Sequence, residues 1–176
     1  MDDKSKETLT RGGVGALIGG TVGGPVGAAV GGIAGALLGS HERKHNKALR
    51  KTVYELDGAT NGEAKIYVDH IDPSPAEPGG TQNRIKDVSG APDIITIAQR
   101  YSNLIIEVET IEAINQNSTH VIKQLNDFQT QGFKRVLVVP QTEVDDFMEW
   151  CETHERNGRI NREVTITTPE SIEALL

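Results

Sequence analysis

The strongest chemical signal in this chain is a set of acidic residues: Asp93, which follows Pro92 and opens an apolar run, and Glu107 and Glu109, which close the next one. Residues two apart on a strand point to the same face, so Glu107 and Glu109 are expected side by side. If the two runs pair as a hairpin, its open end brings Asp93 close to both. Crowded carboxylates repel one another and call for a cation, and their oxygen donors suit Mg²⁺ or Mn²⁺. A cation held in this way polarises a phosphodiester and activates a water.

A second constellation competes with it. His41-Glu42-Arg43-Lys44-His45 is a literal H-E-x-x-H. In zinc proteases such a helix presents two histidines, one turn apart, to the metal, and the glutamate is the general base. The third ligand would come from Glu63, His70 or His154. The charged Arg43-Lys44 pair sits where a buried zinc helix keeps uncharged residues, and the plainer reading is the start of a basic, solvated helix.

These residues need elements to position them. Ala48, Leu49, Val53 and Leu56 recur at helical spacing, so residues 41–56 are expected to form a helix. Residues 64–71 read as a strand with Ile66, Val68 and His70 on one face and Lys65, Tyr67 and Asp69 on the other. Pro73, Pro75, Pro78, Gly79 and Gly80 make 72–90 a loop. Residues 93–99 and 103–110 read as the hairpin strands. A long helix over 111–131 turns Ile114, Val121, Leu125 and Phe128 inward and stops at Gly132. Residues 133–139 form an apolar strand ended by Pro140. A helix over 142–155 is expected to start at Thr142 as N-cap, with Asp145 completing a capping box. Residues 164–168 are a last strand, and Pro169 opens a closing helix. Strands in succession, followed by alternation with helices, imply an α/β fold with a mixed sheet flanked by helices.

Charge is unevenly placed. Residues 1–40 sum to zero, 41–51 carry +4 through Arg43, Lys44, Lys47, Arg50 and Lys51 against Glu42, and 52–176 carry −11. Such an acidic domain gains nothing from bulk charge when it approaches a phosphate backbone, so any nucleic-acid role relies on local basic residues or bound cations. The single cysteine, Cys151, excludes an internal disulfide and reads as a small buried hydrophobe. Trp150, beside Phe147, reads as core. No signal peptide is apparent. No phosphate-binding loop, dinucleotide fingerprint or nucleophile elbow is present.

The first part of the chain is of another kind. Glycine recurs at every fourth position from Gly15 through Gly19, Gly23, Gly27, Gly31 and Gly35 to Gly39, in a stretch that is uncharged from Gly12 onward. On a helix these glycines fall on one face, where a second helix can approach closely. As one helix the stretch is ~42 Å long, enough for a hydrocarbon core of ~30 Å. Pro25 permits a kink or a two-armed hairpin. The basic run that follows places the soluble domain in the cytoplasm under the positive-inside tendency. The expected organisation is a polar tail over 1–11, a membrane-associating or self-associating segment over 12–39, and a soluble domain over 40–176. The segment resembles the glycine-zipper segments of membrane-associating proteins, which implies a membrane partner and a homo-oligomer through the glycine face.

The soluble domain resembles the PD-(D/E)xK nuclease superfamily, the restriction-endonuclease-like fold. The resemblance rests on Pro92-Asp93, a short gap, Glu107-Val108-Glu109 after an apolar strand, and the element order αβββαβ from about Leu49 to Val139. It implies that Asp93 and Glu107 bind Mg²⁺ or Mn²⁺ and that the chain hydrolyses nucleic acid, with DNA the favoured substrate. The lysine position of that motif holds Glu109. Some restriction enzymes carry glutamate there and others move the lysine to the next helix, where Lys123 stands in this chain. Gln124 and Phe128 are similar to the Gln-x-x-x-Tyr motif of RecB-like members, with Phe in place of Tyr. A further acid on the first helix often joins the site, and Glu55 is the better-placed candidate, Glu42 the weaker. Beside this stands a non-catalytic alternative, a nuclease-like binding module with a glycine-zipper anchor.

Overall fold

The computed structural model describes residues 27–69, 71, 75–161 and 164–176, with side chains from Glu42 onward. The chain divides into two compact units, Met1–Arg43 and Lys44–Leu176. The expected tail over 1–11, the first part of the glycine segment and Pro25 lie outside the described residues. Residues 27–39 are helical backbone. Among the described residues no helix is long and apolar enough to cross a membrane.

The first helix, α1, is Gly27–Thr60. From Lys44 onward it buries Leu49, Val53 and Leu56, the helical repeat read from the sequence. It runs one turn past the expected end, because Thr60 Oγ1 bonds back to the Leu56 carbonyl at 2.9 Å. Asn61 and Gly62 then turn the chain at φ of 50° and 71°, and the Gly62 amide donates to the Asp57 carbonyl at 3.1 Å. This is the αL helix stop that glycine permits at little cost.

Five strands follow in one sheet whose spatial order matches the chain order: β1 (Lys65–Val68), β2 (Ile94–Ile97), β3 (Leu104–Val108), β4 (Lys134–Val138) and β5 (Thr165–Thr167). β1, β2 and β3 pair antiparallel, and β4 and β5 then add in parallel. Each parallel step needs a crossover long enough for a helix. Helix α2 (Ile111–Asp127) makes the first, and α3 (Val144–Arg156) makes the second. The domain is therefore an α/β fold with a mixed sheet between helices.

Strand alternation sorts the core into two sides. Ile94, Leu104, Ile106, Val108, Val136 and Val138 meet Leu49, Val53 and Leu56 of α1. On the other side Leu137 joins Ile114, Val121 and Leu125 of α2 and Phe147 and Cys151 of α3, while Ile105 meets Phe128 and Val88. Cys151 is buried, and burial pushes its thiol up to about 12. Trp150 packs against the second side, and its indole N–H donates to Ser118 Oγ at 3.3 Å.

Three local expectations change. α2 ends at Asp127, short of residue 131, with Phe128 as its C-cap. It is also broken at Asn117 (φ −149°, ψ 56°), whose side-chain oxygen accepts from the His120 amide at 3.3 Å and so caps the second half. α3 begins at Val144 after a 3-10 turn, Gln141–Glu143, and Thr142 does not cap it. Glu143 instead reaches across to accept from the Ile111 amide at 2.7 Å, so a carboxylate satisfies the amino end of α2, where a negative charge is favoured. The closing helix is 3-10, Pro169–Leu175.

The outer edge of β1 is partly covered. Residues Tyr67 and Glu77 form a parallel bridge, the Glu77 amide donates to the Ile66 carbonyl at 2.7 Å, and the Arg84 guanidinium lies 3.9 Å from the centre of the Tyr67 ring.

Candidate functional site

The site lies at the end of the sheet where β1 and β3 finish and β2 begins. Val68 stands opposite Ile94, and Ile94 opposite Ile106. One residue further along, the same register sets Asp69 opposite Asp93 and Asp93 opposite Glu107. The Asp69 amide donates to the Asp93 carbonyl at 3.0 Å, which extends the first ladder by that step. Three acids thus form a row across three strands, and Glu109 follows on the same face of β3 as Glu107.

Each carboxyl group has a defined setting. Asp93 is 7% exposed, and its Oδ2 accepts from the Val108 amide at 2.8 Å. The same oxygen lies 3.1 Å from His45 Nε2, which comes from α1. Glu107 is 3% exposed, and its Oε1 accepts from Gln124 Nε2 of α2 at 3.3 Å. The two layers therefore each send one side chain to the acidic row: His45 from one side, Gln124 from the other.

The electrostatics follow from this crowding. Burial raises the Glu107 carboxyl well above its usual range, and the charge of Asp93, a hydrogen bond with it, and the charges of Glu109 and Asp69 raise it further. Burial, then Asp93, pushes Glu109 up to about 7, against a smaller opposing pull from His45 and the Thr110 backbone. For His45, burial acts to lower the pKa, but the hydrogen bond and charge of Asp93, with Asn46 and Glu109, raise it on balance. The crowding is thus relieved in this structure by protons on the glutamates and by His45 beside Asp93.

The sequence-expected residues divide clearly. Asp93, Glu107 and Gln124 are brought together, and Glu109 lies within electrostatic reach of Asp93 and His45. Lys123 is not part of the group: it is 69% exposed on the outer face of α2 and pairs with Asp127 one turn on. It precedes Gln124 by one position, and on a helix that points it elsewhere. Phe128 packs against Val88 and Ile105 rather than at the acids. Glu55 lies almost three turns beyond His45 on α1, roughly 15 Å along the axis, so the α1 residue that reaches Asp93 is His45. Glu42 is exposed.

The zinc constellation does not converge among the described residues. His45 is turned to Asp93, Glu63 pairs with Arg100 at 3.7 Å, and His154 packs edge-on against Trp150 at 4.7 Å between ring centres. The side chain of His41, and His70 altogether, lie outside the described residues.

Two residues of the group were not assigned to it from sequence. Asp69 was visible only as the outer face of the first strand, and the cross-strand register is what places it in line. His45 stood either in a zinc pair or, on the plainer reading, in a basic solvated helix start, while its partner in the fold is an acid 48 positions along the chain.

Among the described residues, no three His, Cys, Asp or Glu side chains form a ready-made metal cage. Mg²⁺ does not require one, since it is commonly held by one or two carboxylates and completes its shell with water and substrate phosphate. Asp93 and Glu107 meet that requirement in donor chemistry, and Oε1 of Gln124, whose Nε2 donates to Glu107, is buried with no hydrogen-bond partner among the described residues. The chain matches no protein-family model, no curated protein and no solved structure.

Proposed function

We propose that Lys44–Leu176 is a restriction-endonuclease-like domain that hydrolyses phosphodiester bonds in nucleic acid, DNA being the favoured substrate, with Mg²⁺ or Mn²⁺. The observation that carries this reading is the row of acids at one sheet end, where the buried Asp93, just before β2, and Glu107 of β3 stand in register and Gln124 donates to Glu107. The antiparallel β1–β2–β3 run, followed by a helix and a parallel strand, supports it.

Asp93 and Glu107 would hold the metal ion, which supplies charge neutralisation at the phosphate and a more acidic bound water. The protein residues act around it. The Val108 amide and His45 fix the Asp93 carboxylate, and the Gln124 amide fixes that of Glu107. Glu109, with a pKa pushed up to about 7, is suited to accept a proton from an attacking water near neutral pH. Gln124 takes the charge-stabilising role for which Lys123 is turned the wrong way. The segment over 12–39 would bring the domain to a membrane, with the domain on its cytoplasmic side, and would self-associate through its glycine face; the support for this is its four-residue glycine repeat.

A second reading is a non-catalytic binding module of the same fold. The observation that favours it is that the lysine of α2 points away from the acids. The deciding experiment is cleavage of labelled single- and double-stranded DNA and RNA by the full chain with Mg²⁺ or Mn²⁺, beside Asp93→Ala and Glu107→Ala. Cleavage lost in both variants supports the hydrolase. No cleavage by folded, metal-supplied protein overturns it in favour of the binding module.

A further inference from the structure

The outward face of α1 carries a feature that the acidic site does not use. Lys47, Arg50 and Tyr54 are all exposed, Tyr54 at 72%, the highest exposure of any large hydrophobic side chain described. Their i, i+3, i+7 spacing puts them in one stripe roughly 10 Å long. The neighbouring lysines are engaged, Lys44 with Glu112 and Lys51 with Glu170. Lys47 and Arg50 have no ion-pair partner among the described residues. In a domain whose residues 52–176 carry −11, two unpaired cations beside an exposed tyrosine form a patch of the opposite character.

The stripe and the site are on opposite faces of the same helix. At 100° per residue, Lys47, Arg50 and Tyr54 stand roughly 140–200° around the axis from His45, and His45 faces Asp93. A nucleic acid on the stripe would be held away from the acids by the width of a helix. Strand-tracking sites are grooves with stacking rings, whereas this surface is the convex side of a helix. A flat anionic surface fits it better: lysine and arginine meet headgroup charge, and a tyrosine suits the membrane–water interface. In the sequence, the uncharged apolar stretch from Gly12 to Gly39 ends just before this helix segment.

We propose that the Lys47–Arg50–Tyr54 face of α1 docks on an anionic lipid surface and turns the acidic site toward the aqueous phase. The net negative charge of residues 52–176 sharpens this, because it opposes approach of the bulk of the domain to the same surface. The inference builds on the membrane part of the proposed function, and vesicle binding is read independently of cleavage, so either can fail alone.

The test is a lipid titration of the full chain with phosphatidylcholine vesicles and with vesicles that also contain phosphatidylserine. Wild type should partition more strongly onto the anionic vesicles. Lys47→Gln with Arg50→Gln should lower that partition by roughly 25-fold, about five-fold for each basic residue, and leave binding to neutral vesicles unchanged. The effect should shrink as ionic strength rises from about 0.05 M to about 0.5 M. Tyr54→Ala, an independent variant that alters no charge, should weaken anionic partition several-fold. Binding to neutral vesicles reads the glycine segment, and the anionic increment reads the stripe. Equal partition of wild type and double variant on anionic vesicles overturns the proposal. So does a double variant that keeps its vesicle binding but loses affinity for a DNA or RNA oligonucleotide, which would make the stripe a nucleic-acid contact.

Discussion

The two ends of the β2–β3 hairpin solve the same structural problem with different chemistry. At the closed end, Thr96 Oγ1 accepts from the Leu104 amide at 3.0 Å and Asn103 Oδ1 accepts from the Ala98 amide at 2.8 Å. At the open end, Asp93 Oδ2 accepts from the Val108 amide at 2.8 Å. All are side chains that cap strand amides. The closed end uses neutral groups and leaves no charge behind. The open end uses a carboxylate and sets two more acids beside it across the strands. An asparagine could make the Val108 contact, so the charge at position 93 acts on His45, 3.1 Å away, rather than on the strand amide. The open end is the one at which the proposed cation would bind.

Asp93→Asn breaks this comparison most sharply. The amide oxygen can still accept from Val108, so the fold should hold, while cleavage falls by at least about 100-fold, the scale of losing a group that acts on transition-state charge. Thermal melting and cleavage rates of the same preparation check both halves. Gln124→Ala should reduce cleavage by about 10–100-fold through a poorly held Glu107, the size of effect seen when a group that orients a metal ligand is lost.

The next test uses proton binding. Glu107 and Glu109 hold protons more tightly in the folded chain than in the unfolded one. The stability linked to them is complete below the ordinary carboxylate range and is lost as pH rises, for Glu109 through about 7. Melting temperature of the metal-free protein should therefore fall between about pH 5 and pH 8. Glu107→Gln should flatten that fall and stabilise the protein at the upper end by on the order of 1–3 kcal/mol. Added Mg²⁺ should restore wild-type stability there and leave Glu107→Gln nearly unmoved.

At the closed end the signs reverse. Thr96→Val leaves the buried Leu104 amide without its acceptor and should cost about 1–3 kcal/mol with no change in cleavage rate per folded molecule. The smallest effect belongs to Lys123→Ala. Its exposed pair with Asp127 contributes less than about 0.5 kcal/mol, and cleavage should not change.

Much of the scaffold could be read from local pattern. The apolar runs of β2 and β3 and the helical repeat of Leu49, Val53 and Leu56 are signals within a few residues of one another. What escaped reading depends on partners distant in the chain. Thr142 and Asp145 had capping-box spacing, but Glu143 turned to the amino end of α2, 32 positions away, and the helix started later. The H-E-x-x-H spacing was real, yet His45 found Asp93 on the sheet. Asp93, Glu107 and Glu109 were legible because a hairpin fixes its own register, and Asp69 was not because β1 joins through a long loop. Lys123 and Gln124 are adjacent in sequence, and only the rotation of α2 decides which of them meets Glu107.

The partly covered edge of β1 has a consequence for how the protein behaves in a concentrated solution. An open strand edge offers a row of free amide and carbonyl groups, a template on which another chain can add as the next strand. Here Glu77 already occupies part of that row, and the Arg84 guanidinium over Tyr67 sits beside it. At the opposite border β5 spans only Thr165–Thr167 before Pro169 ends the extended run. Among the described residues, one border is partly occupied and the other is short, and both features disfavour strand addition. Loosening the loop at Glu77 is the change that would remove the first of them.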